Sequence, residues 1–167
     1  MTEPKSHSSS HHLDEALRLI PGPVAVIGAA REGVTGGLTA AWLTRVSIEP
    51  PLLLVSIGHT RFTWDLLEGS RQFTVSLLAA DQVAEGRLFG LKSRREVDKW
   101  KKTAHVLLGE GVPALEHCSA RFLCELENRF STGDHDCFVG RIISGEIVAG
   151  GPALPMRGAD YAPRDGD

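Results

Sequence analysis

Residues 36–63, G-G-L-T-A-A-W-L-T-R-V-S-I-E-P-P-L-L-L-V-S-I-G-H-T-R-F-T, constrain the fold more than any other part of the chain. Apolar runs of strand length lie on either side of Glu49-Pro50-Pro51, a stiff corner that turns the chain back. Thr39, Thr44, Ser47, Ser56, Thr60 and Thr63 sit among residues that otherwise belong in a core. A buried hydroxyl without a partner is costly, so each must bond backbone or a ligand. Gly36, Gly37, Ala40, Ala41 and Gly58 leave room for a flat molecule against the backbone. Two readings fit these residues: the wall of a ligand site, or a pair of core strands whose hydroxyls bond their neighbours.

A chain of 167 residues, 42% hydrophobic and 23% charged, has the size and composition of one soluble globular domain. Its formal net charge is −3 and no Lys/Arg block dominates a segment, which argues against a nucleic-acid partner. The apolar runs are too short to cross a bilayer, so no membrane is expected. The N-terminus lacks the basic and apolar regions of a signal peptide, and a cytoplasmic location is expected. Cys118, Cys124 and Cys137 are odd in number and widely spaced, so free thiols are expected rather than a disulfide framework. His117, Cys118, His135 and Cys137 lack the paired spacing of a zinc site.

Residues 1–12 are polar and read as a disordered arm. Apolar residues at 13, 16, 17 and 20 have a helical period that ends at Pro21-Gly22-Pro23. Strands are predicted over 24–28 and 36–46, joined by a turn at Arg31-Glu32-Gly33, and over 52–57. Thr60 or Thr63 is expected to cap a short helix whose N-terminus, with His59 and Arg61, suits a phosphate. A strand over 73–78 is followed by a helix over 82–90, with Asp81 as its cap. The charged run that follows reads as a solvated face, with Trp100 covering the core. Residues 118–130 alternate, with Ala120, Phe122, Cys124 and Leu126 on one face. After the turn at 131–134, residues 135–148 pair back, with Gly140 and Gly145 as candidate bends or bulges. Hairpin-joined strands with a helix at mid-chain predict a mainly β fold, a small antiparallel Greek-key barrel. The domain is expected over 13–162, with a polar tail at 163–167.

The order P-G-P-V-A-V-I-G, G-G-L-T-A-A-W, S-I-E-P-P-L-L-L-V-S-I-G, T-W-D-L-L-E-G-S-R-Q-F-T-V-S-L-L, D-K-W and S-T-G-D-H-D-C-F-V-G-R-I resembles the flavin reductase-like, FMN-binding split-barrel family. The resemblance spans residues 13–161. It implies a six-stranded split barrel that forms a homodimer with a flavin near the subunit interface. It implies NADH- or NADPH-dependent reduction of FMN, or of FAD, with hydride passing to flavin N5 and reduced flavin going to a monooxygenase component in some members. By motif, Thr39, Ala40, Ala41 and Trp42 would run along the isoalloxazine. Ser47, Ser56 and Ile57 would add contacts, and His59, Arg61 and Thr63 would lie near the phosphate. Ser76 would stand where the family often has Asn, and Ala41 where it often has Ser. His135 would face the nicotinamide, and Lys99 or an interface arginine would stabilise the reduced flavin. Hydride transfer needs no acid or base, consistent with the lack of a catalytic triad. The alternative is a flavin-binding electron carrier or sensor without nicotinamide activity. A haem-binding split barrel and a purely structural interaction protein complete the range.

Overall fold

β-Branched and aromatic runs bounded by Gly and Pro set the strands. The computed structural model describes residues 7–163, with side chains from residue 12. β1 (Ala25–Arg31) and β2 (Val34–Ala40) form a hairpin. Its turn residues Glu32 and Gly33 both have positive φ, 52° and 79°, the sense that matches the twist of the flanking strands. β3 (Leu43–Ser47) and β4 (Leu52–Gly58) pair around the proline corner. β5 (Gln72–Leu77), the short β6 (His105–Leu108) and β7 (Val112–Leu115), and the long β8 (Ala120–Thr132) and β9 (His135–Ile147) complete the strands. The helices are α1 (His7–Leu17), α2 (Phe62–Leu67) and α3 (Val83–Leu91).

Seven strands share one antiparallel sheet in the order β2-β1-β5-β8-β9-β4-β3. The edge strands β2 and β3 are consecutive in the chain, with only Ala41 and Trp42 between them. One stretch therefore lies on both edges, and the sheet curls until the edges converge at Ala41-Trp42. The single strand expected over 36–46 divides there, because its first half pairs with β1 and its second with β4. With β2 and β3 counted as one stretch, the sheet is the expected six-stranded split barrel. The β6–β7 hairpin is a separate two-stranded sheet packed against β1 and β5, where the Thr74 hydroxyl donates to Pro113 O at 2.5 Å.

Two cores result. Ile27, Val55, Ile57, Phe73, Val75 and Phe138 fill the barrel. Val24, Val26, Leu78, Phe89, Trp100 and Leu115 form a second cluster on the opposite face of β1, so Trp100 is buried there rather than over the barrel core as expected. Burying each large apolar side chain contributes roughly 1.5–3 kcal/mol.

Several local expectations are corrected. The first helix starts at His7, not residue 13, and ends at Leu17, so the arm expected over 1–12 is helical from His7 on. Residues 1–6 and 164–167 lie outside the described residues. The cap position of α3 is Gln82, not Asp81, without a side-chain cap bond, and the Gln82 side chain instead accepts from Ala79 N at 2.8 Å. The face expected of β8 holds: Phe122, Cys124 and Leu126 pack toward the barrel core, while Leu123 on the other face is buried as well, beside the β6–β7 turn at Gly109. The β8–β9 register shifts twice, with Ile143 extra on β9 and Glu127 extra on β8 opposite Gly140 and Val139, so one irregularity falls beside Gly140 as expected. A Cβ on Gly140 would come within 2.5 Å of the Phe73 ring, so close packing requires the glycine. Cys118, Cys124 and Cys137 are free and buried.

Candidate functional site

The convergence of the two sheet edges places several of the expected residues together. The Trp42 carbonyl accepts from Ser56 N at 2.9 Å, which ties the linker to β4. The Trp42 side chain is 64% exposed, far from the usual state of a large aromatic. Its ring lies 4.7 Å from that of His135, the planes tilted by 46°. His135 opens β9 in register with Gly58, and a Cβ at position 58 would stand 3.4 Å from His135 Nε2. The glycine thus lets the imidazole rest on the β4 backbone. His135 Nδ1 is 2.7 Å from Asp134 Oδ1, and that hydrogen bond, with the histidine's charge, holds the Asp134 carboxyl below its ordinary range.

A cavity of about 310 Å³ lies between the start of α2, β2 and the segment after α3. Gly37 and Thr63 help to line it, together with Arg61, Lys92, Arg94, Arg95 and Lys99, and Glu96 is its lone carboxylate. Arg94 is held by Thr35 O at 3.2 Å and Asp98 at 3.0 Å. Arg95 reaches Asp65 at 2.9 Å and Thr60 O at 3.4 Å. The side chains of Arg61 and Lys92 make no hydrogen bond or ion pair among the described residues. Lys99 is 2% exposed and donates to Phe89 O at 3.0 Å and Lys92 O at 2.8 Å. Burial, then the charge of Arg61, pushes the Lys99 amine down to about 8, with Glu96 opposing. So many cations around one cavity repel each other, and an anion within it would relieve that repulsion.

Neither threonine caps α2. The cap position is Arg61, without a side-chain cap bond, and Thr63 lies inside the helix at 2% exposure. α2 has only six residues, so the attraction for an anion comes from the cations rather than from a helix dipole.

Other expected residues do not face the site with their side chains. The Thr39 hydroxyl donates to Gly86 O at 2.7 Å and so serves α3. Ala40 and Ile57 are buried in the barrel and can offer only backbone. Ser47 pairs with Leu52 at the far end of β3, roughly 16 Å along the strand from Trp42. Ser76 is fully buried, and its oxygen accepts from Leu115 N at 3.1 Å, which corrects its expected place beside the ligand.

Two groups were missed. The charged run was read as a solvated face, but it folds back to supply Lys92, Arg94 and Arg95 to the cavity. Trp100 within the run was the signal, since a buried tryptophan pulls its neighbours inward. The other is Asp136, opposite Ile57 on the inward face of β9 and 3% exposed. It receives Ser131 Oγ at 2.7 Å and sits 2.9 Å from His59 Nε2, and Trp64 Nε1 donates to it at 3.0 Å. These hydrogen bonds, that of Ser131 foremost, hold its carboxyl low against the opposing effect of burial. A carboxylate at an inward strand position was the sequence signal.

Residues 17–162 match the flavin reductase like domain family, and the chain belongs to that family. It is 33% identical over 129 residues to the NADH-dependent flavin reductase StyB of Pseudomonas fluorescens, covering 77% of this chain and 73% of that one. Among solved structures, the NADH:FAD oxidoreductase SgcE6 of Streptomyces globisporus superposes with a TM-score of 0.83 at 25% identity, over 100% of this chain and 99% of that one. The FMN-binding protein of Thermus thermophilus, solved with bound 1-cyclohex-2-enone, gives a TM-score of 0.74 at 39% identity, over 79% of this chain and 74% of that one.

Proposed function

We propose that this chain is an NAD(P)H-dependent flavin reductase that binds FMN, or FAD, with the ring along Ala41-Trp42 and the phosphate in the cationic cavity. The observation that carries the reading is the adjacency of two surfaces. His59 and Thr60 alone connect Gly58, under the His135 ring, to Arg61 at the cavity. A flavin needs both, an apolar plane for its ring and cations for its tail. The flavin, when bound, supplies the N5 atom that accepts hydride from nicotinamide C4.

The protein's part is binding and orientation. The backbone of Ala40, Ala41 and Ile57 and the hydroxyl of Ser56 offer hydrogen bonds to the ring's polar edge, while Trp42 and His135 border the nicotinamide position. Holding two rings face to face accounts for much of such a rate enhancement. Arg61 and Lys92 bind the phosphate directly, with Thr63 beside them. Lys99, enclosed in the cavity, adds its charge toward the phosphate rather than toward the ring.

The active form is proposed to be a homodimer. Val46 at 47% exposure, Ile48 at 82% and Ile147 at 80% leave apolar surface that a second copy would cover. Reduced flavin then passes to a separate monooxygenase component. The test is steady-state consumption of NADH and NADPH by purified protein with and without FMN or FAD. Flavin-dependent oxidation of either nucleotide is expected. Tight flavin binding with no oxidation of either would make the chain an electron carrier or sensor.

A further inference from the structure

We infer that Asp136 is a positioning residue for the phosphate end of the flavin site, its buried carboxylate fixing the loop between β4 and α2 that carries Arg61 into the cavity. The inference rests on the flavin-binding reading above and adds a residue that reading does not use.

A carboxylate covered by its neighbours loses its hydration, and the loss must be offset. Asp136 is matched on both oxygens. Oδ1 meets Ser131 Oγ and His59 Nε2, and Oδ2 meets Trp64 Nε1, with Arg129 Nε further out at 3.8 Å. Two of these partners belong to the segment that brackets Arg61: His59 lies two residues before it and Trp64 three residues after. Arg129 also reaches Glu68 at 3.1 Å, and its guanidinium lies 5.5 Å from the centre of the Trp64 ring. The carboxylate therefore holds both ends of the loop and, through Arg129, the end of α2.

From the other side, Arg95 grips Thr60 O and Asp65. The Arg61 side chain has no bond among the described residues that would fix it, and its backbone is tied only within the loop, to Gly58 O and from Trp64 N. Its placement depends on the backbone between His59 and Trp64. Asp136 does not line the cavity, so it acts through this loop rather than by touching the phosphate.

The experiment compares FMN with riboflavin, which has the same ring and no phosphate, by quenching of flavin fluorescence. The parent should bind FMN more tightly than riboflavin. Asp136→Asn keeps the side chain's shape but removes its charge and turns one of its two acceptors into a donor, so its hydrogen bonds are no longer charge-assisted. It should weaken FMN about tenfold, the weight of one charge-assisted hydrogen bond, while riboflavin stays within about twofold. Trp64→Phe, which removes the indole donor and trims the ring that meets Arg129 and His59, should shift the same ratio in the same direction by less. If Asp136→Asn does not fold, Trp64→Phe decides the matter alone. An unchanged FMN-to-riboflavin ratio in the folded variants overturns the inference and leaves flavin binding intact. A parent that binds neither flavin overturns the flavin reading together with the inference.

Discussion

Trp42 and His135 meet across the opening of the barrel with ring centroids 4.7 Å apart. The first comes from the linker between the two sheet edges, the second from the start of β9. Neither is near the other in sequence. Only the passage of one stretch from edge β2 to edge β3 brings them together.

His135→Ala removes the imidazole that borders the nicotinamide position. NADH oxidation at saturating flavin should slow by about 10–100-fold, the range expected when a reacting pair loses its alignment. Flavin affinity should change much less. Rapid-mixing measurement of flavin reduction, beside equilibrium flavin binding, separates the two. Equal turnover in variant and parent would take His135 out of the site.

Lys99 makes flavin binding depend on pH. Its amine titrates at about 8 in the free protein, so below that pH the cavity carries its charge and above it the charge is lost. FMN affinity should therefore fall as pH rises through about 8, and Lys99→Met should remove this dependence. Stability of the free protein runs the other way. Between about 8 and the ordinary lysine value of 10.5 the unfolded chain holds more protons than the folded one, so stability rises with pH across that window. Denaturant unfolding at several pH values, without and with FMN, reads both signs.

Ser76→Ala leaves Leu115 N without its acceptor in a sealed part of the interior. The expected loss is about 1–3 kcal/mol of stability, with FMN affinity unchanged. Loss of FMN affinity at full stability would put Ser76 back beside the ligand.

Gly140→Ala drives a methyl into the Phe73 ring, which is fully buried and cannot swing away. A cost of about 1–3 kcal/mol is expected, seen as a lowered Tm.

Much of the fold was legible because its signals are local. The Arg31-Glu32-Gly33 turn and the Glu49-Pro50-Pro51 corner announce the hairpins around them, hairpin-joined strands predict a barrel, and the family resemblance added its six-stranded split form. The division at Ala41-Trp42 was not legible, because it is caused by which strands each half pairs with. The site was read unevenly for a similar reason. Arg61 and Thr63 were named by motif for the phosphate and Lys99 as a cation for the reduced ring, and all three line the one cavity. Ser76 was also carried over by motif, yet its hydroxyl is taken by Leu115 of a hairpin whose position no local pattern reveals. Lys92, Arg94 and Arg95 looked like a solvated charge run, because charge patterning does not show where a chain folds back. Asp136 sat beside His135 unremarked, since its partners lie on β8, on α2 and in the loop between β4 and α2.

Anaerobic titration tests the central claim most directly. Purified protein is loaded with FMN, and separately with FAD, and NADH or NADPH is added while the flavin's visible absorption is followed. One equivalent of at least one nucleotide should bleach one equivalent of flavin, and admitted oxygen should restore the colour. A protein that binds neither flavin, or whose bound flavin keeps its colour with excess of both nucleotides, would contradict the proposed reductase function.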